Sequence, residues 1–277
     1  MTSDLPSLAR TYLFVPGTRP ERFAKALASG ADAVVLDLED AVAPEDKAQA
    51  RREVAHWLQG ASGAERARVV VRINDAASDW FREDLSALAE AGTRQILLPK
   101  AEDPQQIAAT AAAVRGAQIL ALIESARGVA QVDAVAAAPG VSRLVFGTLD
   151  FALDLDMDIS TDAAGLAYAA GRIAIASRVA GLAAPVAGVT PQLDDEARLL
   201  ADLASARCHG FGAKLCIHPK QIAPIHHALQ PSPEALDWAR RVLAADAASP
   251  GAARLDGRMV DRPVVLQAQR TLRLGQR

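Results

Sequence analysis

Eight short runs rich in Val, Ile and Leu recur along this chain, and an amphipathic, often Ala-rich segment follows each. The runs are Thr11–Val15, Ala33–Asp37, Val69–Ile73, Gln95–Leu98, Gln118–Glu124, Arg143–Asp150, the weak Ala184–Ala187 and Ala213–Ile217. Helices are predicted over Arg19–Ser29, from Pro44 onward, over Ser78–Glu90, Asp103–Arg115, Ser125–Ala137, Asp162–Ala180 and Asp194–Arg207, and from His218-Pro219. Punctuation agrees: Gly30, Pro139-Gly140 and Gly181 stand where helices should stop. Apolar runs that alternate with helices imply a parallel sheet, and eight such units close into a barrel. The expected fold is an α/β (β/α)8 TIM barrel over residues 1–229, with a C-terminal helical segment over 230–277. Pro231-Ser-Pro233 marks the boundary. Helices are expected over Glu234–Ala245 and from Pro263, with a loose stretch, Ser249-Pro-Gly251, between them. The tail is too short for a core of its own and should pack on a barrel, its own or a neighbour's.

The 277 residues, 51% hydrophobic and 23% charged, suffice for one such barrel. A net charge of −3 gives no footprint for a nucleic acid or an anionic membrane surface. No apolar run approaches the roughly 18 residues of a membrane span. The first ten residues lack an apolar core, so no secretory signal is expected. With only Cys208 and Cys216, the chain has no disulfide framework and suits a reducing, cytoplasmic setting.

In such a barrel the working side chains sit where strands end. The ends here offer Asp37, Glu39 and Asp40, then Arg72 and Asn74, then Lys100, Glu124, Asp150, Lys214 and His218. Carboxylates crowded at one mouth repel, and without relief one would take up a proton. A divalent cation or basic partners such as Arg72, Lys100 and Lys214 would relieve this. Glu124 and Asp150 end successive runs, and two carboxylates with open positions for water and substrate suit magnesium. The alternative is that each caps its next helix or pairs with an arginine. Arg72 suits a substrate carboxylate or carbonyl, or else a salt bridge to Glu39 or Asp40. His218 should fix a turn, the cysteines and tryptophans should pack, and no phosphate loop is present.

An ordered set of motifs resembles the citrate lyase beta-subunit-like family of the aldolase/citrate lyase superfamily, from Tyr12 to about Arg270. They include Leu13-Phe-Val-Pro-Gly17, Asp37-Leu-Glu-Asp-Ala-Val42, Val71-Arg-Ile-Asn74, Leu98-Pro-Lys100, Ile123-Glu-Ser-Ala126, Phe146-Gly147 with Asp150, Ile217-His-Pro-Lys-Gln-Ile222 and Gly257-Arg-Met-Val-Asp261. The resemblance implies a magnesium-dependent carbon–carbon lyase or synthase acting on a CoA or acyl-carrier-protein thioester, with an oxo acid as the other partner. It implies Glu124 and Asp150 as metal ligands and Glu124 and Arg72 as substrate contacts. Glu39 and Asp40 would order the metal's surroundings, and Arg19 and Lys25 would lie near CoA phosphates. Asp261 would be an acid/base group reaching a neighbour's site, in a homo-oligomer such as a trimer or hexamer.

Two positions depart from the pattern. Many relatives carry an aspartate in run seven, where this chain has Ala184-Pro-Val-Ala187. Sibling pyruvate aldolases have a histidine where Asp40 stands. The remaining readings are a metal-dependent aldolase on free oxo acids, a malyl-CoA-type thioesterase, and a non-catalytic subunit of a lyase complex.

Overall fold

A computed structural model describes residues 9–160, 163–249 and 253–275. Eight parallel strands close in sequence order: β1 (Thr11–Pro16), β2 (Ala33–Asp37), β3 (Val69–Arg72), β4 (Gln95–Leu98), β5 (Gln118–Ile123), β6 (Val141–Phe146), β7 (Val186–Ala187) and β8 (Ala213–Cys216), with β8 paired back onto β1. The expected barrel is therefore present, and even the weak seventh run contributes a two-residue strand.

The helices of the barrel are α1 (Phe23–Leu27), α2 (Lys47–Gly60), α3 (Gly63–Ala67), α4 (Phe81–Glu90), α5 (Pro104–Ala113), α6 (Ala126–Ala130), α7 (Val132–Ala137), α8 (Thr148–Asp154), α9 (Ala167–Val179), α10 (Glu196–Cys208) and α11 (Ile222–Leu229). Several starts carry a side-chain cap. Asp103 and Gln106 form a reciprocal capping box at α5, and Asp195 accepts from Arg198 N at α10. The helix predicted over Ser125–Ala137 is two, α6 and α7, broken at Gln131 (φ −100°, ψ 5°). Helix α8 was not anticipated; its Leu149, Phe151 and Ala152 read as a continuation of the sixth apolar run. The long helix predicted from Asp162 begins at Ala167, after a 3₁₀ turn over Ala164–Leu166. Asp162 itself lies outside the described residues.

Tyr12, Ala33, Val35, Val70, Leu97, Leu120, Leu122, Val145, Val186, Ala213 and Leu215 form one buried cluster. These occupy alternate positions on the strands, the period of a pleated strand, and so fill the barrel's interior. Fully burying each larger aliphatic among them contributes about 1.5–3 kcal/mol. Phase then decides which polar residues share that interior. Asp37, Arg72 and Glu124 continue the inward series of Val35, Val70 and Leu122. Lys214 falls between Ala213 and Leu215, so it faces the helix layer instead. The expectation that Lys214 neutralises carboxylates at the mouth is corrected by this parity.

The chain divides into two compact units, one of Leu8–Ile225 and one including His226–Arg277. In the second, α12 (Pro233–Ala248) and α13 (Arg262–Gly275) flank a hairpin of β9 (Arg254–Leu255) and β10 (Arg258–Met259). Of the stretch expected to be loose, Pro250 and Gly251 lie outside the described residues, and the hairpin follows it. Asp256 (φ 50°) and Gly257 (φ 77°) occupy its two central positions, the left-handed pair that a tight two-residue hairpin requires. Ala239, Val242, Ala253, Val260 and Ala268 form a core cluster there, against the expectation that the tail has none.

Candidate active site

The mouth of the barrel is organised around a guanidinium. Arg72 ends β3 beside Asp37, which ends β2, and the two are register partners. Arg72 Nε lies 2.7 Å from Asp37 Oδ1 and Nη2 lies 2.6 Å from Oδ2, a fork-on-fork pair. The same carboxylate accepts from Glu39 N at 2.9 Å and Ala41 N at 3.1 Å, so it is held from both sides. Burial alone would lower the pKa of Arg72, but the Asp37 carboxylate overrides it and holds the guanidinium above its ordinary value. The remaining nitrogen, Nη1, is 3.0 Å from the exposed Asp40 and 2.8 Å from Glu39 Oε2. The salt bridges weighed for Arg72 are therefore both present. The stronger partner, Asp37, was noticed in the sequence but given no role.

Glu39 is 8% exposed, and its Oε2 has no aligned hydrogen bond despite the nearby guanidinium. Burial pushes its carboxyl up to about 7, with Arg72 opposing and Asp40 and Asp37 assisting. Glu124 is 4% exposed and accepts from Lys100 N at 2.8 Å. Lys100 adopts a left-handed φ of 45°, which turns that N–H toward the mouth. Burial first, and the charge of Glu39 second, push Glu124 up to about 8; Asp150 adds to the rise. Gly147 follows β6 directly against Glu124. A Cβ there would lie 2.6 Å from both Cβ and Oε2 of Glu124, so only glycine admits the two strand ends this closely. Asp150 sits exposed in the first turn of α8, three residues on.

Behind this line of acids lie buried supports that sequence reasoning missed. Lys47 Nζ donates to the carbonyls of Leu38 (2.8 Å) and Glu39 (2.7 Å), pinning the turn that presents Glu39. Asp84 is fully buried and accepts from Arg51 Nε (2.7 Å), Asn74 N (2.9 Å) and Asn74 Nδ2 (2.7 Å), which fixes the chain just past Arg72. Ser125 Oγ donates to Glu102 while accepting from Gly128 N. A lysine on α2 and an aspartate on α4 carry no motif signal, since their partners are backbone atoms and residues far along the chain.

The other sequence-derived candidates make local contacts or are exposed. Arg19 is exposed just beyond β1 and pairs with Glu21 at 2.6 Å. Lys25 is exposed on α1. Asp261 belongs to the C-terminal unit, where its Oδ1 caps α13 through Val264 N at 3.1 Å. His218 fixes its turn as expected, Nδ1 accepting from Lys220 N at 3.2 Å.

Chemically, the mouth is a set of hard oxygen donors with too little positive charge. The charge of Glu39 adds to the rise that burial imposes on Glu124, and an oxygen of Glu39 is buried without an aligned donor. Among the described residues no preformed cluster of three or more His, Cys, Asp or Glu ligands exists. Two carboxylates with the remaining positions open is the donor set that magnesium, which keeps water and substrate in its shell, most commonly uses. The residues present fit that ion.

Comparison with known proteins gives a concordant picture. A family model described as HpcH/HpaI aldolase/citrate lyase matches residues 10–219. The chain is 35% identical over 267 residues to a (3S)-malyl-CoA thioesterase of Cereibacter sphaeroides, covering 95% of this chain and 93% of that protein. It is 38% identical to a citrate lyase subunit beta-like protein of Mycobacterium tuberculosis, covering 95% and 94%. The crystal structure of CitE from M. tuberculosis with magnesium, acetoacetate and coenzyme A superposes with a TM-score of 0.87 at 35% identity, covering 99% of this chain and 100% of that one. A citrate lyase beta subunit from the same organism, complexed with oxaloacetate and magnesium, gives 0.72 at 33% identity, covering 81% and 98%.

Proposed function

Because the chain belongs to the HpcH/HpaI aldolase/citrate lyase family, and so to the carbon–carbon lyases, we propose that it cleaves or forms a citryl- or malyl-type CoA thioester, with magnesium as cofactor. Glu124 and Asp150 would hold the ion. When bound, it supplies positive charge that lowers the pKa of the substrate hydroxyl and steadies the adjacent carboxylate. Complexes of relatives with magnesium, CoA and oxo acids support this reading. So does Glu124 itself, a buried carboxylate whose pKa of about 8 a divalent cation would reverse.

In cleavage the hydroxyl would give its proton to a water held by Glu39 and Asp40, and its carbon would become the carbonyl of an oxo acid. The carbon–carbon bond breaks, and its electron pair passes to the thioester half as an enolate. Arg72 is anchored through Nε and Nη2 on Asp37, so Nη1, which pairs with Asp40 and Glu39 here, would turn to an enolate or carboxylate oxygen without reorganising the fork. Glu39 and Asp40, both beside Nη1, order the water and charge around the metal position. Asp261 is the proposed acid that protonates the enolate carbon. Arg19 and Lys25 are proposed to meet the CoA phosphates, and the working enzyme is proposed to be a homo-oligomer.

The test is a panel of 3-hydroxyacyl-CoA thioesters assayed with magnesium, with acyl-CoA and oxo acid as measured products. Both should appear in equal amounts, and chelator should abolish them. Asp261→Ala should lose turnover while keeping magnesium affinity. The thioesterase relative favours one second reading, hydrolysis to a free hydroxy acid and CoA. Release of those products in place of an oxo acid would establish it. Magnesium and ligand binding with no turnover of any thioester would leave a non-catalytic subunit.

A further inference from the structure

A cavity lies between the barrel wall and the helix layer and reaches the loops that follow β6 and β7. It encloses about 440 Å³ and is lined by the outer faces of β6, β7 and β8 and by α8, α9 and α10. Its walls are mostly apolar, with Phe146, Met157, Leu166 and Phe211 the largest, and small residues such as Ala170 and Ala206 leave the space open. Leu149 and Leu153 of α8 line it and are also exposed, so it opens to solvent along that helix.

Lys214 and Arg198 are the cations that line this space, with Asp158 and Asp202 as its acids. Lys214 is 2% exposed, and the only hydrogen bond of its side chain among the described residues is from Nζ to Gly188 O, at 2.8 Å. The nearby acid does not pair with it. Asp202 is engaged by Thr190 Oγ1 at 2.6 Å and Arg198 Nε at 2.8 Å. Arg198 is in turn spent on the carbonyls of Ser160 and Ile159. The fold thus buries an ammonium with two N–H groups still to be used, at the wall of an apolar cavity. An isolated buried charge is costly unless paired. A hydroxyl or amide would satisfy one donor, but only an anion also supplies the missing charge.

We propose that this cavity binds a small amphipathic carboxylate, whose alkyl chain fills the apolar space and whose carboxylate pairs with Lys214 Nζ. The site is distinct from the mouth because strand parity sends Lys214 outward while Glu124 and Arg72 face inward. It stands independently of the reaction proposed above. Its volume falls in the range of small-molecule sites, about 300–1,000 Å³.

Calorimetric titration of the full chain with hexanoate, and with 1-hexanol as the uncharged match, tests this. Hexanoate should bind at one site per chain, at least about tenfold more tightly than hexanol. Lys214→Met, which keeps the side-chain volume, should weaken hexanoate by about tenfold or more and leave hexanol unchanged. Ala206→Phe, which fills the cavity without touching Lys214, should abolish both and serves if Lys214→Met fails to fold. Glu124→Gln should leave hexanoate affinity as it is. The proposal is overturned by no saturable hexanoate binding below ~10 mM, by unchanged binding in either cavity variant, or by loss of binding in Glu124→Gln, which would move the acid to the mouth.

Discussion

In the proposed reaction Arg72 is at once structural and a substrate contact. Two of its nitrogens are committed to Asp37 and the third pairs with Asp40 and Glu39, so the geometry of the fork matters as much as the charge. Arg72→Lys keeps the charge and loses the fork. It should lower kcat/KM by at least about 100-fold, roughly 2.7 kcal/mol of transition-state binding, measured in the thioester assay. Gly147 sets the other contact at this scale. Gly147→Ala places a methyl 2.6 Å from Glu124 and should cost about 1–3 kcal/mol of stability by overpacking. Magnesium affinity should fall with it, as read by titration calorimetry. Position 147 was legible as a glycine near the sixth strand's end. That it must be glycine follows only from the approach of Glu124.

At the scale of elements, the strand ends are held by helices that contribute nothing to the mouth directly. Lys47 of α2 and Asp84 of α4 each tie a βα connection to the layer outside it. Asp84→Ala should destabilise the fold by about 3–5 kcal/mol, because it strands Arg51 and leaves both nitrogens of Asn74 without their acceptor. Chemical denaturation would measure this. Lys47→Met removes an ammonium that lies 5.2 Å from the centre of the Trp80 ring and donates to two carbonyls, and it should lower kcat by freeing the turn that carries Glu39. Periodicity located these helices but could not find these residues, because a buried charge on a helix reads as an ordinary polar position. The Asp256-Gly257 turn is the opposite case. Its dipeptide is a strong hairpin signal, and the short flanking strands hid it.

For the whole molecule, the mouth links stability to pH and to magnesium. Glu39 and Glu124 have folded pKa values raised to about 7 and about 8, above the usual carboxylate value. Groups raised in this way favour the fold fully below their ordinary value of 4.5, and that contribution is lost progressively as pH rises from there to about 7 and about 8. A cation restores it by compensating the ionised pair. Magnesium should therefore raise Tm more at pH 8.5 than at pH 6, and its affinity should increase with pH across that window. Scanning calorimetry at the two pH values with and without the ion checks both. A magnesium effect equal at the two values would remove these carboxylates from the site.

What the sequence determined by itself is the alternation. Eight apolar runs with helices between them admit few folds other than a closed parallel barrel. The strand-end position of Asp37, Arg72 and Glu124 follows from the same pattern, because burial of runs and exposure of their ends are local, periodic properties. Only the tertiary structure decided which acid faces which base. Asp37 takes Arg72 because neighbouring strands stand in register, Glu124 meets Gly147 because β5 and β6 end together, and Lys214 leaves the mouth because side chains alternate across a strand. Those pairings depend on distances between residues 23 to 35 positions apart or on which face of a strand a residue occupies. A linear pattern carries neither until the barrel closes.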